Sequence, residues 1–167
     1  MSGDRAVFLD RDGTLIDDVG YISDPDDVRL IRGAADALRA LHDAGFRLVV
    51  VSNQSGLGRG LVTQEQADAV HQRFVEELER AGGGIDAAYY CPHRPEDGCD
   101  CRKPLPGLLF DAASELGLDL ERSFMVGNSD LDVAAGEAVG ARAILLAEGT
   151  DWSEAVRRIA SWSRQAA

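Results

Sequence analysis

Two carboxylates one residue apart end the first apolar run of the chain, at Asp10 and Asp12 in the sequence AVFLDRDGTL. This position, at the carboxyl end of a predicted strand, is the edge where open parallel sheets bind their ligands. Paired acids there favour Mg²⁺, which prefers carboxylate oxygens and keeps water molecules that a phosphate can displace. The alternative is an ordinary turn, since Asp and Gly are common turn residues. A turn would explain Gly13 but would leave the two spaced acids without a role.

A second polar group follows the apolar residues 48–51, where Ser52 and Asn53 lead into the glycine-rich segment NQSGLGRG. A hydroxyl group and exposed backbone amides suit phosphate oxygens because they donate hydrogen bonds without adding a bulky cation. Taken alone, this segment is equally typical of an ordinary strand-to-loop transition. If its strand neighbours the first one, however, Ser52 and Asp10 face the same crevice.

The three cysteines of the chain lie together with one of its three histidines. Thiolate and imidazole ligands at this spacing predict a tetrahedral zinc site, formed by Cys91, His93, Cys99 and Cys101. A disulfide is a weaker alternative because the number of cysteines is odd, and coincidental clustering is another. Since the protein fills all four ligand positions, we expect a structural ion that folds the loop of residues 91–101.

Two basic residues, Arg102 and Lys103, follow the predicted zinc loop directly. The lysine ammonium group suits a phosphoryl group, and arginine can bind a second phosphate or a sugar oxygen with two parallel hydrogen bonds. Adjacent basic residues usually lie on a solvated surface. Their attachment to a zinc-bound loop favours a role in the site instead.

The segment MVGNSDLD again ends an apolar run in polar residues. Asn128 offers a carbonyl oxygen to Mg²⁺, and Asp132 is placed to orient a neighbour such as Lys103. Asp130 has a simpler interpretation, as the residue that caps the following helix.

The elements that position these residues alternate between short apolar runs and helical segments. Strands are predicted at residues 7–9, 48–51, 87–90, 124–126 and 143–146, and helices near 33–44, 64–81, 106–116, 131–139 and 153–161. This alternation predicts an α/β fold, a doubly wound and mostly parallel sheet with helices on both faces. Residues 16–32 and 53–62 lack periodicity and are expected to form short flaps over the catalytic edge, without a large cap domain. We expect residues 1–167 to form one domain.

Bulk composition limits the classes of function further. With 167 residues and a formal net charge of −12, the chain is not expected to carry a general nucleic-acid-binding surface. We identify no secretory leader and no apolar run of membrane-spanning length, so a cytoplasmic protein without a membrane partner is expected. A monomer is the default expectation. Trp152 and Trp162 are expected to pack on the sheet rather than to stack on a ligand.

In their order along the chain, the motifs resemble those of the haloacid dehalogenase (HAD) superfamily, whose phosphatases carry an aspartate pair, a serine or threonine, a lysine and a final acidic motif. More narrowly, DRDGT, SNQSGLGRG, YYCPH and CDCRKP are similar to its zinc-containing branch, which includes heptose bisphosphate and histidinol-phosphate phosphatases. The resemblance covers nearly the whole chain and implies a HAD-like Rossmannoid fold. One position departs from it, because many relatives have aspartate where this chain has Asn128. The amide keeps an oxygen ligand but removes one negative charge, which is expected to weaken Mg²⁺ binding.

The resemblance implies a Mg²⁺-dependent phosphatase that forms an aspartyl-phosphate. Asp10 is the expected nucleophile, because a carboxylate with an ordinary pKa near ~3.9 is ionised at neutral pH. Asp12 is expected to act as general acid and then as general base, while its backbone carbonyl binds magnesium. Ser52 and Lys103 are expected to hold the phosphoryl oxygens and to offset their charge.

Substrate recognition in the family uses segments that here carry Asp18, Gly20, Tyr21, Asn53, Gln54, Ser55 and Arg102, with Arg59 as a weaker candidate. The expected substrate is a phosphorylated sugar, D-glycero-D-manno-heptose 1,7-bisphosphate, hydrolysed at its C7 phosphate. Histidinol phosphate or another small sugar phosphate is the alternative, because the short gap between His93 and Cys99 resembles the zinc loops of histidinol-phosphate phosphatases. A receiver-like signalling domain also holds an aspartyl-phosphate beside Mg²⁺ and lysine, but it has no use for the zinc loop. A zinc-stabilised binding module would need neither the acids nor the lysine.

Overall fold

Five parallel strands form the centre of the protein in a computed structural model, which describes residues 3–147 and 150–166. The strands are β1 (Ala6–Leu9), β2 (Arg47–Asn53), β3 (Ala87–Cys91), β4 (Phe124–Gly127) and β5 (Arg142–Leu145). They pair in the order β3-β2-β1-β4-β5. This order confirms the doubly wound parallel sheet and places β1 at its centre, where the direction of winding reverses. Ligands bind at such a reversal point, beyond the carboxyl ends of the strands.

The second strand is longer than predicted. Ser52 and Asn53 are its last two residues rather than the start of the following loop, because they pair with Tyr90 and Cys91 of β3. The apolar pattern does not predict this extension, because the apolar run stops at Val51 while the ladder of backbone hydrogen bonds continues. As a result, both residues are held by the sheet itself.

Among the residues that the structure describes, six helices accompany the strands: α1 (Ala34–Asp43), α2 (Ser55–Gly58), α3 (Gln64–Arg80), α4 (Gly107–Leu116), α5 (Asp130–Ala138) and α6 (Trp152–Gln165). Three short 3₁₀ turns lie at Pro25–Asp27, Pro95–Asp97 and Leu120–Arg122. The sequence predicted all the helices except α2, whose residues SGLG include two glycines and carry little helix signal. The cap of α5 is Ser129 rather than Asp130, which is the first helical residue.

The first strand is buried on both faces. Val7 and Leu9 pack on the side that holds α1, α3 and α6, whereas Ala6 and Phe8 pack on the side of α4 and α5. Because all four side chains are fully buried, the strand reads as a continuous apolar run rather than as an alternating one. This double burial fixes the position of the loop that begins at Asp10.

The two segments predicted as flaps lie after β1 and β2, and neither forms a large cap. The first is held by isolated bridges that join Asp12 to Ile16 and Ile16 to Leu30. The second contains α2 and leads into α3, whose Thr63 forms a capping box with Gln66. Within the described residues, none of the helices is both long enough and apolar enough to cross a membrane.

The C-terminal helix is tied to the loop that follows β1. Trp152, at the first turn of α6, is buried, and its indole Nε1 donates a hydrogen bond of 2.9 Å to the backbone carbonyl of Thr14. Trp162 instead stacks in parallel on Phe124, with 5.9 Å between ring centroids. Both tryptophans therefore pack within the protein, as expected from the sequence.

We predict that Trp152→Phe destabilises the protein by about 1–3 kcal/mol, because it leaves the buried Thr14 carbonyl without its donor. Urea unfolding followed by circular dichroism measures the change. Trp162→Phe is the matched control, since this half-buried ring contributes stacking rather than a hydrogen bond to the described residues. A loss in Trp152→Phe no larger than that in the control would contradict the proposed anchor.

Candidate active site

A cavity of about 770 Å³ opens at the carboxyl ends of β1, β2 and β4. Every residue predicted for catalysis or magnesium binding lines this cavity, and so does each predicted substrate-binding residue except the weaker candidate Arg59. Arg59 lies outside it and is exposed, with its Nε 3.4 Å from Ser55 Oγ. The structure thus brings the four polar segments of the sequence to one place.

The centre of the site is the ammonium group of Lys103, which is only 2 % exposed. Its Nζ donates to Asp10 Oδ1 at 2.8 Å, to Asp132 Oδ1 at 2.6 Å and to the backbone carbonyl of Val51 at 2.7 Å. An ammonium group has three protons, and each has a protein acceptor here. Burial lowers the pKa of Lys103, but the two carboxylates outweigh burial and raise it above its ordinary value. The contact expected between Asp132 and Lys103 is present.

Asp132 is fixed by its second oxygen as well. Its Oδ2 accepts hydrogen bonds from the backbone amides of Asn128 and Ser129, at 3.0 and 3.1 Å, and from Ser129 Oγ at 3.1 Å. The carboxylate packs directly on the backbone of Gly127, where any Cβ atom would overlap it. The glycine that ends β4 therefore makes room for the acid that holds the lysine.

Asp10 is a buried carboxylate, only 9 % exposed. Burial, together with the nearby Asp132, raises its pKa to about 6, although Lys103 opposes the shift. This value lies above the ordinary one expected from the sequence, because the motif alone does not reveal how deeply the carboxylate is buried. At pH 7 the group is still ionised by roughly ten to one. Its Oδ2 accepts no hydrogen bond from the described residues and is free to react or to bind a cation.

Asp12 is held by neighbours on two sides. Arg11 donates to it from Nε at 2.8 Å, and Gln54 donates from Nε2 to its other oxygen at 2.9 Å. The same Gln54 amide lies 2.8 Å from Ser52 Oγ, so it links the serine to the acid. Gln54 was predicted to bind substrate, and in this structure it connects two predicted catalytic residues.

Three residues of the site were not assigned from the sequence: Arg11, Tyr90 and His71. Arg11 is 3 % exposed, its guanidinium carbon lies 5.1 Å from the centroid of the Tyr90 ring, and the Tyr90 hydroxyl is 2.7 Å from His71 Nδ1. The one available signal was a charged residue between two acids at the end of an apolar strand. That signal does not reveal contacts with β3 and α3, which depend on how the chain folds.

Asn53 anchors the loop that carries the lysine. Its Oδ1 accepts from the backbone amide of Lys103 at 2.9 Å, and its Nδ2 donates to the backbone carbonyl of the same residue at 3.0 Å. Arg102 donates from Nη1 to the carbonyl of His93 at 3.3 Å, which ties it to the cysteine loop. Tyr21 is half exposed at the rim of the cavity. The predicted substrate residues thus divide into anchors and groups that face the opening.

The residues around Asp10 fit a divalent cation. Lys103 contributes one positive charge against the two negative charges of Asp10 and Asp132, which leaves one negative charge in excess. Arg11 and Asp12 balance each other. Asn128 lines the same cavity, and its amide packs so closely on Gly13 that a Cβ atom there would overlap it. Carboxylate and amide oxygens are ligands that Mg²⁺ accepts.

The three cysteines and His93 fit a single tetrahedral metal ion. Their ligand atoms all lie within 4.8 Å of one another, with Cys91 Sγ 3.7 Å from Cys99 Sγ and 3.5 Å from His93 Nδ1. Two sulfurs bound to one zinc ion at ~2.3 Å would lie roughly 3.8 Å apart. Burial, and then contact with the other two thiols, raises the pKa of Cys101 strongly. At Cys99, burial is outweighed by hydrogen bonds, which lower the pKa of the thiol to about 7. A bound cation would stabilise the thiolate forms of all three cysteines.

Comparisons with known proteins agree with this geometry. A HAD-hydrolase-like family model matches residues 100–166. The chain is 40% identical over 149 residues to a D-glycero-beta-D-manno-heptose-1,7-bisphosphate 7-phosphatase of Yersinia pestis, an alignment that covers 84% of this chain and 79% of the relative. The enzyme of the same name from Escherichia coli strain K12 is 39% identical over 166 residues, which cover 94% and 86% of the two chains.

A solved structure is also similar over almost its whole length. The D,D-heptose 1,7-bisphosphate phosphatase from B. bronchiseptica, complexed with magnesium and phosphate, superposes with a TM-score of 0.86 at 32% identity. The alignment covers 95% of this chain and 99% of that one. The likeness therefore includes both the sheet and the flaps.

We predict that the purified protein contains about one zinc ion per chain, and that Cys99→Ser loses it and unfolds at a lower temperature. Atomic absorption and a thermal melt measure the two effects. Asp100→Asn is the matched control, because this neighbouring side chain is exposed and is not one of the four ligands. Zinc-free protein from a chelator-free preparation, or zinc retained in Cys99→Ser, would contradict the site.

Proposed function

Because this chain belongs to the family of D-glycero-beta-D-manno-heptose-1,7-bisphosphate 7-phosphatases, within the HAD-like hydrolases, we propose that it removes the C7 phosphate of this heptose bisphosphate. The observation that carries the proposal is the buried arrangement of Asp10, Lys103 and Asp132 at the reversal point of the sheet. Within the described residues, this arrangement leaves Asp10 Oδ2 without a hydrogen bond, beside the fixed positive charge of Lys103. The chain is accordingly a phosphoric monoester hydrolase.

Magnesium supports this chemistry by offsetting the negative charge of the phosphate as the carboxylate approaches it. We propose Asp10, Asn128 and the backbone carbonyl of Asp12 as its protein ligands, which agrees with the magnesium and phosphate bound by the B. bronchiseptica relative. The four residues of the zinc loop are proposed to hold a structural ion that keeps Arg102 and Lys103 in place.

In the first step, Asp10 Oδ2 attacks the phosphorus atom, and the bond between phosphorus and the C7 oxygen breaks. Asp12 enters this step protonated and transfers that proton to the departing oxygen, so the sugar leaves as an alcohol and the phosphoryl group stays on Asp10. Lys103 holds the attacking carboxylate by its other oxygen, Oδ1. Ser52 lines the same cavity as Asp10 and is proposed to donate a hydrogen bond from its hydroxyl to a phosphoryl oxygen.

In the second step, a water molecule attacks the phosphorus atom and gives its proton to Asp12. The bond to Asp10 breaks, inorganic phosphate leaves, and both carboxylates return to their starting states. This cycle needs Asp12 to face first the departing oxygen and then the water on the same side of the phosphoryl group. Its fixed position between Arg11 and Gln54 suits that double use.

The rim of the cavity suits a polyhydroxylated sugar. Asp18, which accepts a hydrogen bond from the Gly20 amide, lies on the first flap with Tyr21, while Ser55 lies on the second. Arg102 is proposed to bind the distal phosphate, because its guanidinium reaches the cavity from the zinc loop. The monomeric state and the cytoplasmic location stay predictions, as does the absence of nucleic-acid and membrane partners.

We predict that Asp10→Asn has no measurable turnover, because an amide cannot attack phosphorus and form the acyl phosphate. Released phosphate measures turnover. Asp17→Asn is the matched control and is expected to keep full activity, since this nearby acid is exposed and lies outside the cavity. Full activity of Asp10→Asn would refute covalent catalysis by this residue.

We further predict that kcat/KM is highest for the beta anomer of heptose 1,7-bisphosphate, when both anomers and histidinol phosphate are compared in parallel. A margin of about 10-fold corresponds to ~1.4 kcal/mol, which a single additional hydrogen bond to the sugar can supply. A preference for histidinol phosphate would overturn the substrate while leaving the phosphatase chemistry intact. Phosphate that stays on the protein without turnover would indicate a signalling domain instead.

A further inference from the structure

Arg11 is a buried charge on the catalytic loop, at 3 % exposure. Burial of a guanidinium group is costly unless partners compensate it. Among the described residues, its side chain makes polar contacts only with Asp12 and with the hydroxyl of Tyr90. An apolar residue could fill the same space without the cost of desolvation. The position of this charge therefore calls for a role beyond packing.

The contact between Arg11 and Asp12 constrains the carboxylate. The guanidinium approaches both oxygens, with Nε 2.8 Å from Oδ1 and Nη2 3.4 Å from Oδ2. A planar guanidinium that reaches two oxygens fixes the rotation of a carboxylate, which a single ammonium group does not. Gln54 adds a third hydrogen bond, to Oδ2 at 2.9 Å. The plane of the Asp12 carboxylate is thus defined before any substrate arrives.

Arg11 is supported from behind by Tyr90 on β3. The guanidinium carbon lies 5.1 Å from the centroid of the tyrosine ring, and Nη1 lies 3.5 Å from its hydroxyl oxygen. That hydroxyl is 2.7 Å from Nδ1 of His71 on α3. If the tyrosine oxygen accepts from arginine, its proton points to the histidine, which must then be neutral. Burial, and then the charge of Arg11, lowers the pKa of His71, in agreement with this arrangement.

We propose that Arg11, supported by Tyr90 and His71, is a positioning residue that holds Asp12 in line with the departing oxygen of the substrate. The inference rests on the proposed function, because it takes Asp12 as the group that gives a proton to that oxygen. Four residues in consecutive contact then serve one step, the transfer of a proton to the departing oxygen: Asp12, Arg11, Tyr90 and His71. These residues span the loop after β1, the strand β3 and the helix α3.

The dependence of kcat/KM on the leaving group of the substrate distinguishes this positioning role from a merely structural role of Arg11. The value of kcat/KM includes only steps up to the first irreversible one, the transfer of the phosphoryl group to Asp10. A sugar alkoxide needs a proton as it leaves, whereas p-nitrophenolate leaves without one. Misplacement of Asp12 should therefore slow the sugar phosphate selectively. A merely structural defect at the site should slow both substrates alike.

The experiment compares heptose 1,7-bisphosphate with p-nitrophenyl phosphate at saturating magnesium. For Arg11→Gln, kcat/KM is expected to fall about 10²-fold for the sugar phosphate, the lower range for general acid catalysis. For the aryl phosphate it should fall by less than about 3-fold, since the proton transfer is not needed there. Arg11→Lys keeps the charge but not the two-oxygen contact, and it is expected to show the same selective loss.

Tyr90→Phe removes the supporting hydroxyl without touching Asp12, and a smaller selective loss is expected. Tyr89→Phe is its matched control, because the adjacent hydroxyl contacts Glu115 at 2.6 Å on the opposite side of the sheet. If Arg11→Gln fails to fold, the lysine and Tyr90 variants decide the question. Equal losses on both substrates, or full activity of Arg11→Lys, would overturn the proposal.

The experiment distinguishes a wrong role for Arg11 from a wrong choice of substrate. If the unmodified protein hydrolyses p-nitrophenyl phosphate but not the heptose bisphosphate, the proposed substrate is refuted. The comparison is then made with the alkyl phosphate that the unmodified protein hydrolyses fastest. A selective loss there would support the role of Arg11, and a uniform loss would still refute it.

Discussion

One buried ammonium group joins three parts of the sheet edge. Lys103 binds the carboxylate that follows β1, the carbonyl of Val51 near the end of β2, and the acid in α5 that follows β4. Without this cation, Asp10 and Asp132 would face each other as buried like charges, which is strongly unfavourable. The strands can therefore bring their polar ends together only because the lysine enters between them. The loop that delivers it is fixed in turn by Asn53.

The charge balance of this cluster explains how it can accept both a metal and a phosphate. Two carboxylates around one ammonium leave a single negative charge in excess, and burial makes that excess costly. For this reason burial raises the pKa of Asp10 to about 6. A bound divalent cation makes the net charge of the cluster positive, and a bound phosphate group then makes it negative again. Asn128 keeps the starting excess at one charge, whereas an aspartate at this position would add another.

The sequence predicted the sheet and most of the site because each strand is an apolar run that ends in polar residues. It could not predict contacts that depend on register and packing. Tyr90 lies opposite Ser52 only because β2 continues past its apolar residues, and His71 meets it only through the packing of α3. The support of Arg11 by Tyr90 was hidden for the same reason, since Tyr90 belongs to a strand far away in sequence. Short helices rich in glycine, such as α2, carry no periodic signal at all.

The hydrogen bond from Trp152 to the Thr14 carbonyl joins residues 138 positions apart. The loop that carries both catalytic aspartates is therefore synthesised well before the helix that anchors it. A nascent chain that has exposed β1 and β2 still lacks β4, so one edge of the central strand stays unpaired until β4 is made. Unpaired edges of this kind invite aggregation while the ribosome is still at work. The loop of the catalytic aspartates therefore makes its contact with Trp152 only after α6 has been synthesised.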